Sequence, residues 1–491
     1  MSLSRGAVTA FLAGAAAVLA FAPIGFSPLA LVCFAWLAHL LADAGPRRAF
    51  WLAFLFGLGL FLAGVSWVYV SLSQFGGMPA PLAALATFLF CVLLAAFTGA
   101  AGWLQARIPA SRALRACLLI PATWTLGEWL RSWVLTGFPW LSAGYAAVGW
   151  PLAGYAPLIG TFGASFVTVS LAGMLWLLVR TRRLIYIAPL LLLPAAGEAL
   201  RHVDWTEAAG RPVSVALLQG NVPQEMKFRP ERYLQTLETY ARLVEESRAR
   251  LIVLPETAIP SWYDAIDPAY LERLAAAARR NDGDLLLGVP TRTGGRLFNS
   301  VVNLGTAPRQ IYHKAHLVPF GEFVPPLFSW VMRMLAVPMA DFGRGAADQP
   351  PFAVAGQQVA VNICYEDAFG DAIGASARRA TLLVNTSNVA WFGDSLAPGQ
   401  HLQIARMRAL ETGRVHLAAT NTGVTAAIGR DGVVLARLPQ YAEGRLELEV
   451  QGYSGATPYM RLADWPIVLV SLLALAGAVF AAAVFPSQRS R

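Results

Sequence analysis

Cys364, Lys314 and Glu256 are residues of types that together could perform nucleophilic catalysis. Of the four cysteines, three lie in long apolar runs, so Cys364 is the one cysteine in the polar part of the chain. A lone cysteine there is either a buried core residue or a working thiol. A thiol nucleophile needs a base to take its proton and a positive charge near the developing oxyanion. Glu256 and Lys314 are candidates for these two roles.

Lysine is rare in this chain. Of the 38 basic residues, 36 are Arg, and the two lysines are Lys227 and Lys314. An ammonium differs from a guanidinium because it is compact and can lose its proton. Lys314 follows the strand-like run Gln310–Tyr312. This position favours the interpretation that Lys314 is a site residue over the interpretation that it is a surface lysine present by chance.

Glu256 and Cys364 also follow strand-like apolar runs, Leu251–Pro255 and Val359–Ile363. Sites in α/β proteins gather at the carboxyl ends of strands, so we expect both residues at such an edge. Desolvation there is expected to raise the pKa of Glu256 toward that of a useful general base. Taken alone, Glu256 and Cys364 each fit a structural role. Together with Lys314 they form the best candidate for an active site.

The elements that must position these residues form an α/β domain over residues 201–463. Its predicted helices lie at 231–248, 268–280 and 399–413. Its predicted strands are Val213–Gln219, Leu251–Pro255, Leu285–Val289, Val301–Leu304, Val359–Cys364, Leu382–Asn385 and His416–Asn421.

The remainder of the chain is apolar enough to cross a membrane. Hydrophobic residues make up 56% of the sequence and charged residues 14%, against roughly 25% charged in soluble chains. A span takes about 20 mostly apolar residues. We therefore predict a seven-span domain over 1–200 and a C-terminal span with a tail over 464–491. The eight runs lie at about 7–22, 28–42, 50–72, 80–104, 113–135, 157–179, 184–200 and 465–485.

The positive charge is a topology signal rather than a nucleic-acid footprint. Residues 1–200 hold ten Arg and three acidic residues, which accounts for most of the net charge of +9. The arginines fall in alternate connections, as the positive-inside rule requires. This predicts cytoplasmic termini and places 201–463 on the periplasmic face of a bacterial inner membrane. Alternatively, the first run is a cleaved signal peptide.

The motifs around the three candidate residues resemble those of the nitrilase superfamily. They are Leu-Pro-Glu256, the run Tyr-His-Lys314 to Gly-Glu322, and Asn-Ile-Cys364-Tyr-Glu-Asp. With the predicted spans, the chain resembles the apolipoprotein N-acyltransferases, the membrane-embedded branch that completes bacterial lipoprotein maturation. Further stretches that carry the resemblance are Glu128–Arg131, Thr136–Trp140, Gln219–Asn221, Trp391–Asp394 and Ala409–Arg414.

The resemblance implies an αββα sandwich and a two-step reaction. Cys364 would attack an ester carbonyl of a membrane phospholipid, typically phosphatidylethanolamine, to form a thioester. The α-amine of the diacylglyceryl-cysteine at a lipoprotein's N-terminus would then take the acyl chain. Glu256 would be the general base, while Lys314 would stabilise the oxyanion and lower the pKa of the thiol. No metal or other cofactor is expected, since no His-Glu-x-x-His or Cys-x-x-Cys spacing occurs.

The resemblance also implies supporting residues. Glu322 would orient Lys314, and Tyr365 and Glu366 would support the nucleophile and the substrate. Residues 323–342 are too apolar for a solvated loop, so they form either a lipid-facing gate or a buried amphipathic helix. We expect four residues to contact lipid, the first of which stands where the family commonly has Trp: Phe228, Trp330, Met334 and Trp391.

Two other functions fit parts of the sequence. The same three residues on a membrane anchor could hydrolyse a small amide or nitrile, although a soluble substrate does not need eight spans. The spans could instead form a transporter with an appended binding domain, although they contain few ionisable groups for a pathway.

Overall fold

The computed structural model describes residues 3–227, 229–324 and 341–484, and the chain divides into two compact units. The helical unit comprises residues 1–73, 78–203 and 461–491. The α/β unit comprises residues 74–77 and 204–460. Glu256, Lys314 and Cys364 therefore all lie in the α/β unit.

Every predicted apolar run overlaps a helix of the helical unit. Leu and Ala favour the helix, and an α-helix satisfies every backbone polar group within one segment, as lipid requires. The main helices are Leu3–Ala17, Pro28–Leu41, Pro46–Gly64, Ala80–Arg107, Ile120–Arg131, Ala156–Thr181, Ile187–Arg201 and Trp465–Val484.

The predicted number of eight spanning helices is not confirmed. Among the described residues, five helical segments are long and apolar enough to cross a membrane: Pro46–Gly64, Ala80–Arg107, Pro151–Thr181, Leu184–Arg201 and Trp465–Val484. The apolar helices Leu3–Ala17 and Pro28–Leu41 have 15 and 14 residues. At 1.5 Å per residue each rises only about 22 Å, less than the hydrocarbon thickness of about 30 Å.

The described part of the α/β unit contains two six-stranded sheets. The first has the strand order β12-β1-β2-β3-β4-β5 and the second β11-β10-β9-β8-β7-β6. Three neighbouring strands in each sheet are parallel, β1-β2-β3 in the first and β7-β8-β9 in the second. All the other strand pairs in the two sheets are antiparallel. The strands are β1 (Glu207–Gln219), β2 (Leu251–Val253), β3 (Asp284–Thr293), β4 (Arg296–Gly305), β5 (Ile311–His313), β6 (Phe352–Val354), β7 (Gln357–Ile363), β8 (Leu382–Ser387), β9 (Val415–Thr420), β10 (Ala426–Ile428), β11 (Val434–Arg437) and β12 (Gly444–Ser454).

The main core of this unit contains residues of both sheets. Leu217 of β1 and Val384 of β8 belong to one buried cluster. The next residue, Leu218, belongs to a second cluster with Leu243 and Leu274, which lie on helices. Successive side chains of a strand point to opposite faces, so β1 is buried on both. Burial on both faces explains why the strands read as near-continuous apolar runs.

In the described part of this unit, four helices of eight or more residues accompany the sheets: Pro230–Glu246, Pro268–Arg280, Gly370–Ala377 and Ala397–Thr412. Buried clusters join the first two helices to the first sheet, and the last two to the second. The predicted strands and helices are all present. No sequence pattern predicted the helix Gly370–Ala377, the three-residue strands β6 and β10, or the half-exposed strands β11 and β12.

Candidate active site

The three predicted site residues lie together at strand ends. Glu256 is the third residue after β2, and Lys314 and Cys364 directly follow β5 and β7. The Lys314 ammonium nitrogen lies 3.3 Å from Glu256 Oε1. The main-chain N–H of Asn388 donates to Glu256 Oε2 at 2.9 Å and also stabilises negative charge on the Cys364 sulfur. Residues distant in sequence thus form one cluster of carboxylate, ammonium and thiol.

A glycine in the neighbouring strand allows the Glu256 backbone to reach this position. A Cβ atom at Gly288 of β3 would lie 2.2 Å from the Pro255 carbonyl oxygen and 2.8 Å from Glu256 Cα. A strand glycine commonly marks such a close approach of another backbone. Any larger residue at this position would displace Glu256.

Lys314 is buried between two carboxylates, with a side chain only 1% exposed. Its ammonium donates to Glu322 Oε1 at 2.9 Å and to Glu256 Oε1 at 3.3 Å. Burial lowers the pKa of Lys314, but the two carboxylates outweigh burial and leave the pKa raised. The ammonium is therefore charged. Among the described residues only these two carboxylates accept from it, so its third N–H can donate to a substrate atom.

Asn299, which no sequence pattern marked as a site residue, joins the two carboxylates. Its Nδ2 donates to Glu256 Oε1 at 2.6 Å and to Glu322 Oε1 at 2.7 Å. The main-chain N–H of Lys314 donates to the Asn299 carbonyl at 2.8 Å, which makes the two residues neighbours across β4 and β5. No motif marks Asn299; only the register of these strands reveals it.

The expectation that Glu256 has a raised pKa is wrong in direction. Burial raises the pKa of Glu256, but the Lys314 ammonium, the Asn299 amide, the Lys227 ammonium and the Asn388 N–H together outweigh burial. The pKa therefore lies below its ordinary value. Glu256 is ionised, so it can accept a proton but binds it weakly.

The Cys364 thiol has a raised pKa. Burial is the largest cause, and the carboxylates of Glu256 and Glu322 add to it, while Lys314 lowers the pKa. The thiol is therefore neutral at rest beside an ionised carboxylate. Its proton must leave as the sulfur attacks, when charge moves to an oxygen that Lys314 can stabilise.

Glu366 connects the segment that carries the lysine to the one that carries the thiol. Its Oε1 accepts the main-chain N–H groups of Ala315 at 2.8 Å and His316 at 3.0 Å. Its Oε2 accepts the N–H of Ile363 at 2.7 Å and the hydroxyl of Tyr312 at 3.0 Å. Glu366 thus fixes the spacing between the ammonium and the nucleophile without contacting either.

The backbone of Cys364 has an unusual conformation. Its φ is 54°, in the left-handed region that non-glycine residues rarely adopt. The Cys364 carbonyl accepts a hydrogen bond from Asn385 Nδ2 at 3.1 Å and lies 3.2 Å from His401 Nε2. Backbone strain of this kind occurs at active sites, where surrounding contacts maintain it.

For the other predicted site residues that the structure describes, Tyr365 and Trp391, the observed contacts are between aromatic rings. The Tyr365 ring lies edge-on to Phe369, with centroids 5.2 Å apart. Trp391 is 40% exposed, and its ring centroid lies 6.1 Å from that of Phe75. Three residues expected to contact lipid lie outside the described residues: Phe228, Trp330 and Met334.

Replacing Asn299 by Leu is expected to slow any reaction that uses the Cys364 thiol. Leu is similar in size but cannot donate to the two carboxylates, so the pKa of Glu256 should rise. Hydrogen bonds to charged groups contribute about 1.5–3 kcal/mol each, so we expect a roughly 10- to 100-fold lower kcat/KM. Asn303→Leu is the matched control, because Asn303 lies on the same strand but binds carbonyls of the 307–308 turn. Equal losses of specific activity in both folded variants would contradict this role.

The sheets and the cluster at their strand ends define a domain of the carbon-nitrogen hydrolase class. Residues 214–459 match the family model described as carbon-nitrogen hydrolase. Residues 13–174 match a second model, the apolipoprotein N-acyltransferase N-terminal domain.

Similar proteins align over nearly the whole chain. The apolipoprotein N-acyltransferase of Nitrosomonas europaea is 46% identical, with 96% of this chain and 97% of the relative covered. That of Chromobacterium violaceum is 44% identical, with 94% and 91% covered. That of Ralstonia nicotianae is 43% identical, with 96% and 94% covered. The chain belongs to the apolipoprotein N-acyltransferase family.

Proposed function

We propose that this enzyme transfers an acyl chain from a membrane phospholipid, through a thioester on Cys364, to the α-amine of the diacylglyceryl-cysteine of apolipoproteins. It is an N-acyltransferase of lipoprotein maturation, as its near full-length relatives are named. The observation that carries the chemical proposal is the buried contact of Lys314 with Glu256 and Glu322, in the same cluster as the thiol.

In the first half-reaction the Cys364 sulfur bonds to the ester carbonyl carbon while Glu256 takes the thiol proton. The resulting oxyanion accepts a hydrogen bond from the third N–H of Lys314. Collapse breaks the bond to the glycerol oxygen, which takes the proton back from Glu256. The products are a thioester and a lysophospholipid, and each proton transfer of this kind contributes about 10²–10⁴-fold to the rate.

In the second half-reaction the amine nitrogen attacks the thioester carbonyl, and Glu256 takes a proton from it. The carbon–sulfur bond then breaks, and the sulfur recovers that proton to regenerate the thiol. An ionised Glu256 suits both steps, because it begins each half-reaction without a proton. Glu322 acts through Lys314, which it holds at 2.9 Å, and Glu366 acts through the backbone it fixes.

The membrane supplies the donor. The protein is an integral protein of the inner membrane, in keeping with its apolar helices and its relatives. The arginine distribution supports a periplasmic catalytic domain and cytoplasmic termini. We assign residues 1–200 and 464–491 to the membrane and 201–463 to catalysis. Phosphatidylethanolamine is the donor we propose, because it is an abundant bacterial phospholipid with the required ester.

Lipid substrates need a site that excludes water from the thioester. The proposed contacts to acyl chains are Phe228, Trp330, Met334 and Trp391. Of these, Trp391 is exposed at 40% in the α/β unit despite its large apolar ring, which supports contact with lipid. Tyr365 follows the nucleophile directly, and its main-chain N–H is our candidate for a second oxyanion donor.

Acceptor dependence tests this function. We expect purified protein with phosphatidylethanolamine and a diacylglyceryl-cysteine peptide to yield a triacylated peptide and lysophospholipid in equal amounts, measured by mass spectrometry. A peptide with an acetylated α-amine is the matched control and should receive no acyl chain. Release of free fatty acid at the same rate without peptide, and no transfer, would instead identify a hydrolase.

A further inference from the structure

Lys227 is a buried cation that the mechanism above does not use. In sequence it lies between β1 and the helix Pro230–Glu246, and its residue surface is only 1% exposed. Its ammonium donates to the main-chain carbonyl of Glu256 at 3.2 Å. It is also one of only two lysines in a chain with 36 arginines.

Among the described residues, no carboxylate forms an ion pair with the Lys227 ammonium. Its hydrogen bond is to a neutral carbonyl. Burying an unpaired ammonium is unfavourable, and burial lowers the pKa of Lys227 to about 8. The negative charge of Glu256 opposes this lowering, and a thiolate at Cys364 would oppose it too. The ammonium therefore interacts with the base and the nucleophile of the site.

The charge balance of the site shows what a second cation would do. Lys314 is held by the two carboxylates of Glu256 and Glu322, so these three groups carry one net negative charge. Formation of a thiolate at Cys364 would add a second. A positive charge on Lys227 brings the resting cluster to neutrality and reduces the repulsion that the developing thiolate meets.

We propose that Lys227 is a positioning residue of the active site, whose charge favours the thiolate of Cys364 and whose hydrogen bond fixes the backbone of Glu256. This rests on the proposed role of Cys364 as nucleophile. The other charged groups that act on the thiol are Glu256, Glu322 and Lys314. Glu366 accepts hydrogen bonds from three main-chain N–H groups and the Tyr312 hydroxyl.

Alkylation of Cys364 by iodoacetamide tests this without acyl transfer. Iodoacetamide is neutral and reacts with the thiolate, so the rate at neutral pH, followed on the Cys364 peptide by mass spectrometry, reports the thiolate fraction. We expect Lys227→Met to slow alkylation about tenfold or more, equivalent to one pKa unit. Lys227→Gln, which keeps a donor but no charge, should behave similarly, whereas Lys227→Arg should retain most of the rate.

Arg229→Met is the matched control, because it removes a positive charge two residues away from an exposed side chain. It should leave the alkylation rate unchanged. If Lys227→Met and Lys227→Gln are folded, by their unfolding temperatures, and react like the unmodified enzyme, the proposal is wrong. Equal slowing in Lys227→Arg would also overturn it, since charge would then not be the cause.

A second measurement needs no variant of Lys227. Because the chain has two lysines, uniform labelling of lysine side chains with ¹³C at Cε gives two NMR signals, and Lys314→Arg assigns them. We expect the Lys227 signal to titrate near pH 8, with a lower midpoint in Glu256→Gln, because the ionised Glu256 carboxylate opposes the lowering of this pKa. A midpoint at the ordinary lysine value of about 10.4, unaffected by Glu256→Gln, would contradict the proposal. Acyl transfer that persists in Cys364→Ala would contradict the proposed function instead.

Discussion

Replacing Cys364 by Ala is expected to abolish acyl transfer while the protein stays folded. The sulfur is the atom that would bond to the acyl carbon, and no second cysteine lies in the α/β unit. Loss of the nucleophile in enzymes that act through a catalytic unit costs on the order of 10⁶ in kcat, so we expect activity below detection. The main-chain contacts of Cys364 with Asn385 and His401 do not involve the sulfur. The unfolding temperature should therefore change little.

Cys117→Ala is the matched control for this variant. Cys117 is a partly buried thiol of the helical unit, and its removal should leave transfer unchanged. Production of triacylated peptide by folded Cys364→Ala at more than a small fraction of the normal rate would contradict the assignment. If Cys364→Ala does not fold, Cys364→Ser takes its place in the test. It keeps the shape of the side chain but replaces the thiol by a hydroxyl, which is a much weaker nucleophile.

Replacing Lys314 by Arg is expected to reduce kcat severely even though the charge is kept. The ammonium is compact and lies within 3.3 Å of both Glu256 and Glu322, in a site where its side chain is 1% exposed. A planar guanidinium is larger and tends to bind carboxylates through two parallel hydrogen bonds. It would keep its donors on the carboxylates and move the one intended for the oxyanion. Loss of one oxyanion donor costs about 10²–10³ in kcat, and we expect a loss of that size.

The loss in Lys314→Arg should appear in kcat rather than in KM, because the donor acts on charge that forms in the transition state. Arg296→Lys is the control, since it exchanges the same two residue types at an exposed position of β4. It should leave both constants unchanged. Activity of Lys314→Arg within about threefold of normal would show that charge alone suffices and that the compact ammonium is not required.

The sequence predicts the elements and the candidate residues better than it predicts their interactions. Glu256, Lys314 and Cys364 could be singled out because each follows an apolar strand and belongs to a residue type scarce in that context. Their grouping in space is found in the structure, and their catalytic roles remain proposals. The predicted shift in the pKa of Glu256 was wrong in direction. The local sequence indicates that this carboxylate is buried, but it does not show the cations and hydrogen-bond donors that the fold brings to it.

Asn299 and Lys227 illustrate the same limit. Asn299 is an ordinary strand residue in sequence, and only the pairing of β4 with β5 places its amide between two carboxylates. Lys227 stands out in the sequence because lysine is rare, but it neither follows a predicted strand nor belongs to a motif that would place it at the site. The predicted count of eight spanning helices is not confirmed for another reason. Apolar composition shows where helices form, whereas their ends depend on caps, prolines and packing that composition does not show.

The thioester on Cys364 is the central claim, and mass spectrometry of the intact protein after exposure to phosphatidylethanolamine alone tests it most directly. We expect a mass increase of one acyl group in exchange for one hydrogen, with release of lysophospholipid. The adduct should map to the Cys364 peptide and be removed by neutral hydroxylamine, as a thioester is. An acyl group on any other residue, or transfer to peptide by a protein that never acquires one, would contradict it.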